Sequence, residues 1–241
     1  MDNPYASPYA NPSTVAAQPV DVRAAFIRKT YTHLAGAIAA FALIEAFLMS
    51  IPGIEGTVFG LLGAHRFSWL VVLGVFMLTS SIADKWARGA TSLTMQYAGL
   101  GLGVFSWSLI FVPMLLMAKL YSGDPTIIAK AGGVTLLLFA ALTTVAFTTK
   151  KDFSFLGGIL KVGGFLALGV IVIAVIFPSF ITLGFWFSLA MVAFAACSIL
   201  YSTSNIIHHY NTHQYVAASL GLFASVAMMF WYVLRLFMSR D

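Results

Sequence analysis

TTKKDFSFLGGIL (residues 148–160) is a short polar connection between two long apolar stretches, and two further apolar stretches follow it, carrying ILYSTSNII (199–207) and SLGLFASVAMMF (219–230). The hydrocarbon layer of a bilayer requires about 17 to 25 predominantly apolar residues of a helix, each rising about 1.5 Å. The stretches on both sides of KKDFSFLG (150–157) meet that requirement. Working outward on the same criterion predicts about seven spans. They run roughly over 32–51, 67–83, 93–117, 126–148, 155–177, 181–205 and 215–237. The expected fold is an all-α integral membrane protein of about seven transmembrane helices, forming a single domain over residues 25–241.

Composition agrees with the span count. Of the 241 residues, 60% are hydrophobic and 9% charged, and the mean hydropathy of +0.93 lies far from that of soluble domains. The bilayer is thus the first expected partner. The net charge of +5 comes from Lys and Arg scattered at the ends of apolar stretches. No basic face suited to a phosphate backbone exists, which argues against nucleic acid. Residues 1–24 open with a Pro-, Asn- and Ser-rich segment containing PYA twice and read as a disordered tail. That segment has neither the basic start nor the short apolar run of a cleaved signal. Arg23, Arg28, Lys29, Lys85, Arg88, Lys150 and Lys151 fall on one side of the predicted spans, against Arg66, Lys119, Lys130, Arg235 and Arg240 on the other. Positive residues are retained in the cytosol during insertion, so the N-terminus is expected there and the C-terminus outside. Short loops and the lack of an import signal point to a bacterial inner membrane.

Ionisable groups within spans are costly and mark functional candidates. Among the eight acidic residues, Glu45 alone lies deep in a predicted span. It can be protonated and hydrogen-bonded, line a polar cavity, or reach toward the outer interface. His33 would lie about 18 Å from it along the same helix, too far for a direct pair. His208, His209 and His213 sit in HHYNTHQY (208–215) with no carboxylate or thiolate beside them, and read as a solvated polar turn in preference to a metal site. No cofactor is expected. Cys197 reads as a small core residue. Gly99 and Gly103 form G-x-x-x-G, and Gly157, Gly158, Gly163 and Gly164 are paired, which predicts close helix packing.

The last two spans carry matched small and polar faces. Ser198, Ser202 and Asn205 recur at helical spacing on one; Ala218, Gly221 and Ser225 do so on the other. Either the serines bond their own carbonyls one turn back and simply permit tight contact, or they line a site between the two helices. The spans contain no carboxylate pair, metal cluster or serine with a base, so enzymatic activity is not expected.

FIRKTYTHLAGA (26–37), KKDFSFLG (150–157), the element Y-x-T-x-x-I-I at Tyr201, Thr203, Ile206 and Ile207, and VLRLF (233–237) together resemble the Bax inhibitor family. The resemblance implies six helices around a central C-terminal seventh. It also implies a calcium leak closed by a proton-sharing aspartate pair, one from each of the last two spans, assisted by a basic residue beyond the second span. Ser202 and Ser225 stand at the two aspartate positions, and Arg88 or Lys85 at the basic one. Met228 stands where relatives often have a polar residue. A hydroxyl neither titrates in the working range nor supplies the anionic charge that Ca²⁺ requires. The expectation is therefore a calcium or cation leak with altered or absent pH gating. The alternative is a non-conducting modulator of membrane stress or of a membrane protease, as some bacterial relatives are.

Overall fold

A computed structural model describes residues 14–89, 92–149, 151–180 and 183–239. Eight helices follow a short 3-10 turn at Val15–Ala17: α1 (Val20–Leu48), α2 (Ile54–Gly63), α3 (Ser68–Arg88), α4 (Leu93–Tyr121), α5 (Ile127–Thr149), α6 (Leu156–Ile176), α7 (Phe185–His208) and α8 (Tyr215–Met238). Seven of them, all but α2, are long and apolar enough to cross a membrane. The chain is a multi-pass helical membrane protein.

The helix ends follow local chemistry. Pro19 precedes α1 and its carbonyl accepts from the Arg23 amide, so the fixed proline φ starts the helix without losing a donor. Ser92 caps α4 by accepting from the Met95 amide at 3.2 Å. The α6 helix stops just before Pro178, which cannot continue it.

Between apolar helices in lipid, shape complementarity and small residues supply most of the association energy. Accordingly α8, buried along most of its length, packs against α1, α3, α4, α5 and α7. The α6 helix stands further out, on α7 and α3, with Leu156 as its buried residue. At the centre Phe111 of α4 meets Phe41 of α1 edge-on at 5.1 Å and stacks with Phe230 of α8 at 5.4 Å. The predicted packing role is seen at Gly99, Gly103, Gly157 and Gly163, whereas a Cβ on Gly158 would meet nothing within 4 Å. A Cβ on Gly99 would sit 2.5 Å from the Ala87 nitrogen and 2.6 Å from the Ala83 oxygen, so α3 and α4 touch backbone to backbone. On α6, Gly157 and Gly163 face the rings of Tyr201 and Phe194 on α7.

Three expectations change. The disordered tail predicted for residues 1–24 does not hold over 14–24, which are ordered, and residues 1–13 lie outside the described residues. The Val15 amide donates to the Tyr210 carbonyl at 2.9 Å, Thr14 bridges Asn211, and Val15 and Ala16 are buried. The first span begins earlier than residue 32, because the face Phe26, Thr30, Leu34, Ala37, Phe41 packs continuously inward from the first turns of α1. The α2 helix was absent from the predicted spans, being too short to cross a bilayer. Ile181 and Thr182, given to the sixth span, lie outside the described residues, and α7 starts at Phe185.

Candidate functional site

The α7 and α8 helices form an antiparallel pair whose small faces meet as the sequence pattern predicts. Ser225 Oγ lies 2.8 Å from Ser198 Oγ and 3.0 Å from Ser202 Oγ, and it bonds the Gly221 carbonyl on its own helix at 3.0 Å. A hydroxyl has one proton and two lone pairs. With the Ser225 proton given to Gly221, Ser198 and Ser202 are its two donors, and Ser225 is fully paired. The packing reading holds in part: Ser225 bonds back one turn, while Ser198 and Ser202 bond across to it and tie the two helices together. Ser219 makes a similar tie, donating to the Thr30 carbonyl of α1 at 2.9 Å.

Above the serines a polar vestibule of about 400 Å³ opens at the end of the bundle where α3, α5 and α7 finish. Ser202 and Asn205 form its floor and side, with Tyr201, Tyr210, Arg88 and His209 around them. Of the two basic candidates, the structure brings only Arg88 to this site; Lys85 is exposed and lines no described cavity. Arg88 Nε donates to both carboxylate oxygens of Asp84 at 2.8 Å, and its guanidinium lies 5.9 Å from the centre of the Tyr210 ring. Burial pushes the Tyr210 phenol up, and the nearby Arg88 charge works against that shift. A second cavity, of about 490 Å³, lies lower and to the side, with Ser198, Ser225, Met228, Lys161 and Trp107 among its walls. Tyr201, Ser202 and Gly221 belong to both cavities.

The turn expected to be merely solvated carries a connected network. His209 Nε2 donates to Asp152 Oδ2 at 3.0 Å, and Ser204 Oγ donates to Asp152 Oδ1 at 3.1 Å. The Phe153 amide donates to Ser204 Oγ at 2.8 Å. The KKDFSFLG connection is thereby fastened to the end of α7, although Lys150 lies outside the described residues. Burial opposes the charge on Asp152, but the Ser154 amide, the His209 ring and the Ser204 hydroxyl outweigh it and hold the carboxyl below its ordinary pKa. Asp152 was missed as a partner of the histidines because more than fifty residues of chain separate it from His209, whereas Ser204, four residues before His208, was within reach of the helical spacing. Glu45 does not join either group. It is 5% exposed on the inward face of α1, and neither of its carboxylate oxygens has a hydrogen-bond partner among the described residues.

This arrangement of helices and connections agrees with a family match. The profile of the family described as Inhibitor of apoptosis-promoting Bax1 covers residues 23–241. The chain belongs to the Bax inhibitor family. Within that family it is similar to the modulator of FtsH protease YccA of Escherichia coli, at 30% identity over 219 residues, 89% of this chain and 91% of YccA. It is also similar to Bax inhibitor 1 of Schizosaccharomyces pombe, at 25% identity over 98% of this chain and 84% of that protein. An uncharacterized protein of Pseudomonas aeruginosa, PA2604, is 30% identical over 68% of this chain and 69% of its own length. At the α7–α8 contact, where the resemblance leads one to expect a carboxylate pair, three hydroxyls close on one another.

Proposed function

We propose that this chain is a non-enzymatic regulator of a membrane-bound protease, seated in a bacterial inner membrane with its N-terminus in the cytosol and its C-terminus outside. The observation that carries the reading is the near full-length similarity to the modulator of FtsH protease YccA. The site is consistent with it: a cluster of hydroxyls does not titrate in the working range and supplies no anionic charge for a divalent cation, which suits a scaffold better than a latch. In this reading the vestibule end, rimmed by Arg88, His209 and Tyr210, faces the cytosol. The test is co-reconstitution of the chain with an FtsH-type protease and a membrane substrate in liposomes. Association and a changed degradation rate are expected; an unchanged rate with no co-purification overturns the reading.

A second reading, a calcium or cation leak with altered or absent pH gating, draws on one observation. The vestibule and the lateral cavity share Tyr201, Ser202 and Gly221 as lining residues, so the two lie on either side of the same short stretch of α7 and α8. Liposomes holding a calcium dye, followed across a pH series, decide it. Flux that does not respond to pH supports the leak, and absence of flux at every pH eliminates it.

A further inference from the structure

A groove of about 450 Å³ runs along the outside of the bundle between α1 and α4. Its upper end is polar, at His33 and Tyr97, and its lower part is apolar, with Gly36 and Ile44 on one wall and Gly101 and Val104 on the other. From residue 33 to residue 44 the helix rises about 17 Å. One leaflet's share of the hydrocarbon layer is about 15 Å. Along α1 the slot is therefore about as long as one leaflet's acyl layer is deep.

Its glycines differ from those that hold helices together. Gly99 and Gly103 are filled by α3 and by Leu220, whereas a Cβ on Gly36 or Gly101 would meet nothing within 4 Å. The two open glycines hollow out the slot without serving a helix contact.

The upper end is built from several helices. The His33 Nδ1–H group donates to the Lys29 carbonyl at 2.7 Å, and His33 Nε2 is hydrogen-bonded with the Tyr97 hydroxyl at 2.8 Å. Tyr215 of α8 packs on the His33 ring at 5.0 Å, and the Lys29 ammonium sits 5.3 Å over the Tyr215 ring. Aromatic side chains of this kind settle at headgroup depth. Arg28 and Lys29 are exposed, and among the described residues neither is within ion-pair distance of an acidic side chain. An unneutralised cationic end above an acyl-sized slot fits one occupant.

We infer that the α1–α4 groove retains an anionic phospholipid of the leaflet on the vestibule side, its phosphate near Lys29 and one acyl chain between Gly36 and Gly101. This goes beyond the protease reading and does not depend on it. The test is native mass spectrometry of the full chain released from nanodiscs of palmitoyl-oleoyl phosphatidylglycerol mixed with the matching phosphatidylcholine. One retained phosphatidylglycerol per chain is expected. K29Q should weaken that retention about fivefold, the worth of one basic residue at an anionic surface. Gly36→Leu and Gly101→Leu, whose side chains enter open space, should abolish it while leaving the fold intact. Equal retention of both lipids overturns the assignment of the headgroup, and undiminished retention in the two leucine variants overturns the groove.

Discussion

Ser225 holds three hydrogen bonds at once, giving its proton to Gly221 and accepting from Ser198 and Ser202. This spacing makes the double change Ser202→Asp, Ser225→Asp informative. Two carboxyls so close share a proton, and removing that proton sets like charges face to face in a poor solvent for charge. The double variant should lose more thermal stability than the parent as pH rises through neutrality. Melting curves in detergent across pH check this, and a flat response in the variant would mean that the two side chains do not meet. At Asp152 the sign is the reverse. The folded state holds this carboxyl below its ordinary value of 3.8, so its stabilising contribution is fully present above that pH and is lost as pH falls through the folded value. Asp152→Asn should therefore lower the melting temperature at neutral pH and converge with the parent in acid. Because both partners are substantially exposed, the neutral-pH cost should not exceed about 1 kcal/mol.

At the scale of the helices, what was legible in the sequence was what depends on length and periodicity. Seven spans were readable because each exceeds the bilayer requirement, and the α7–α8 contact was readable because its small residues recur every three or four positions. The α2 helix was not: IEGTVFGLLG is too short for a span and has no polar face to mark it as amphipathic. The start of α1 was hidden by Asp21, Arg23 and Arg28, whose charge reads as tail although the inward positions Phe26 and Thr30 already keep helical register. The Asp152–His209 network was illegible for a different reason, since only the folded topology brings the α5–α6 connection beside the end of α7. Glycine spacing announced close approach without saying which glycines make it. Gly99→Ala should cost about 1–3 kcal/mol, because its methyl would meet backbone that cannot move. Gly101→Ala, two residues away but facing open space, should be close to neutral. Comparing the two by thermal unfolding in one detergent isolates the α3–α4 contact, and equal losses would contradict it.

For the whole molecule, charge distribution and architecture agree on a sided protein. The vestibule lies at the end that bears Arg23, Arg28, Lys29, Lys85, Arg88 and Lys151, while Arg66, Lys119, Lys130 and Arg235 lie at or toward the other. Cys197 is the single cysteine, so a Cys197→Ser background accepts one new thiol at a time. Ser154→Cys at the vestibule rim should be shielded from an impermeant maleimide applied to intact spheroplasts, and Thr126→Cys should react. The opposite pattern would invert the topology.

The anchoring of Val15 has a mechanical consequence. Its amide is bound to the Tyr210 carbonyl, and Thr14 bridges Asn211, so the segment before the first helix is bolted to the turn of the last hairpin. That same turn takes Arg88 from α3 and Asp152 from the α5–α6 connection. A force applied near the start of the chain is thus delivered to the final hairpin without passing through the intervening helices. Amide exchange should register the bolt: the Val15 amide should exchange as slowly as those of the hairpin, and Asn211→Pro, which removes that residue's N–H, should quicken it. An exchange rate at Val15 typical of open chain would show that the two ends move independently.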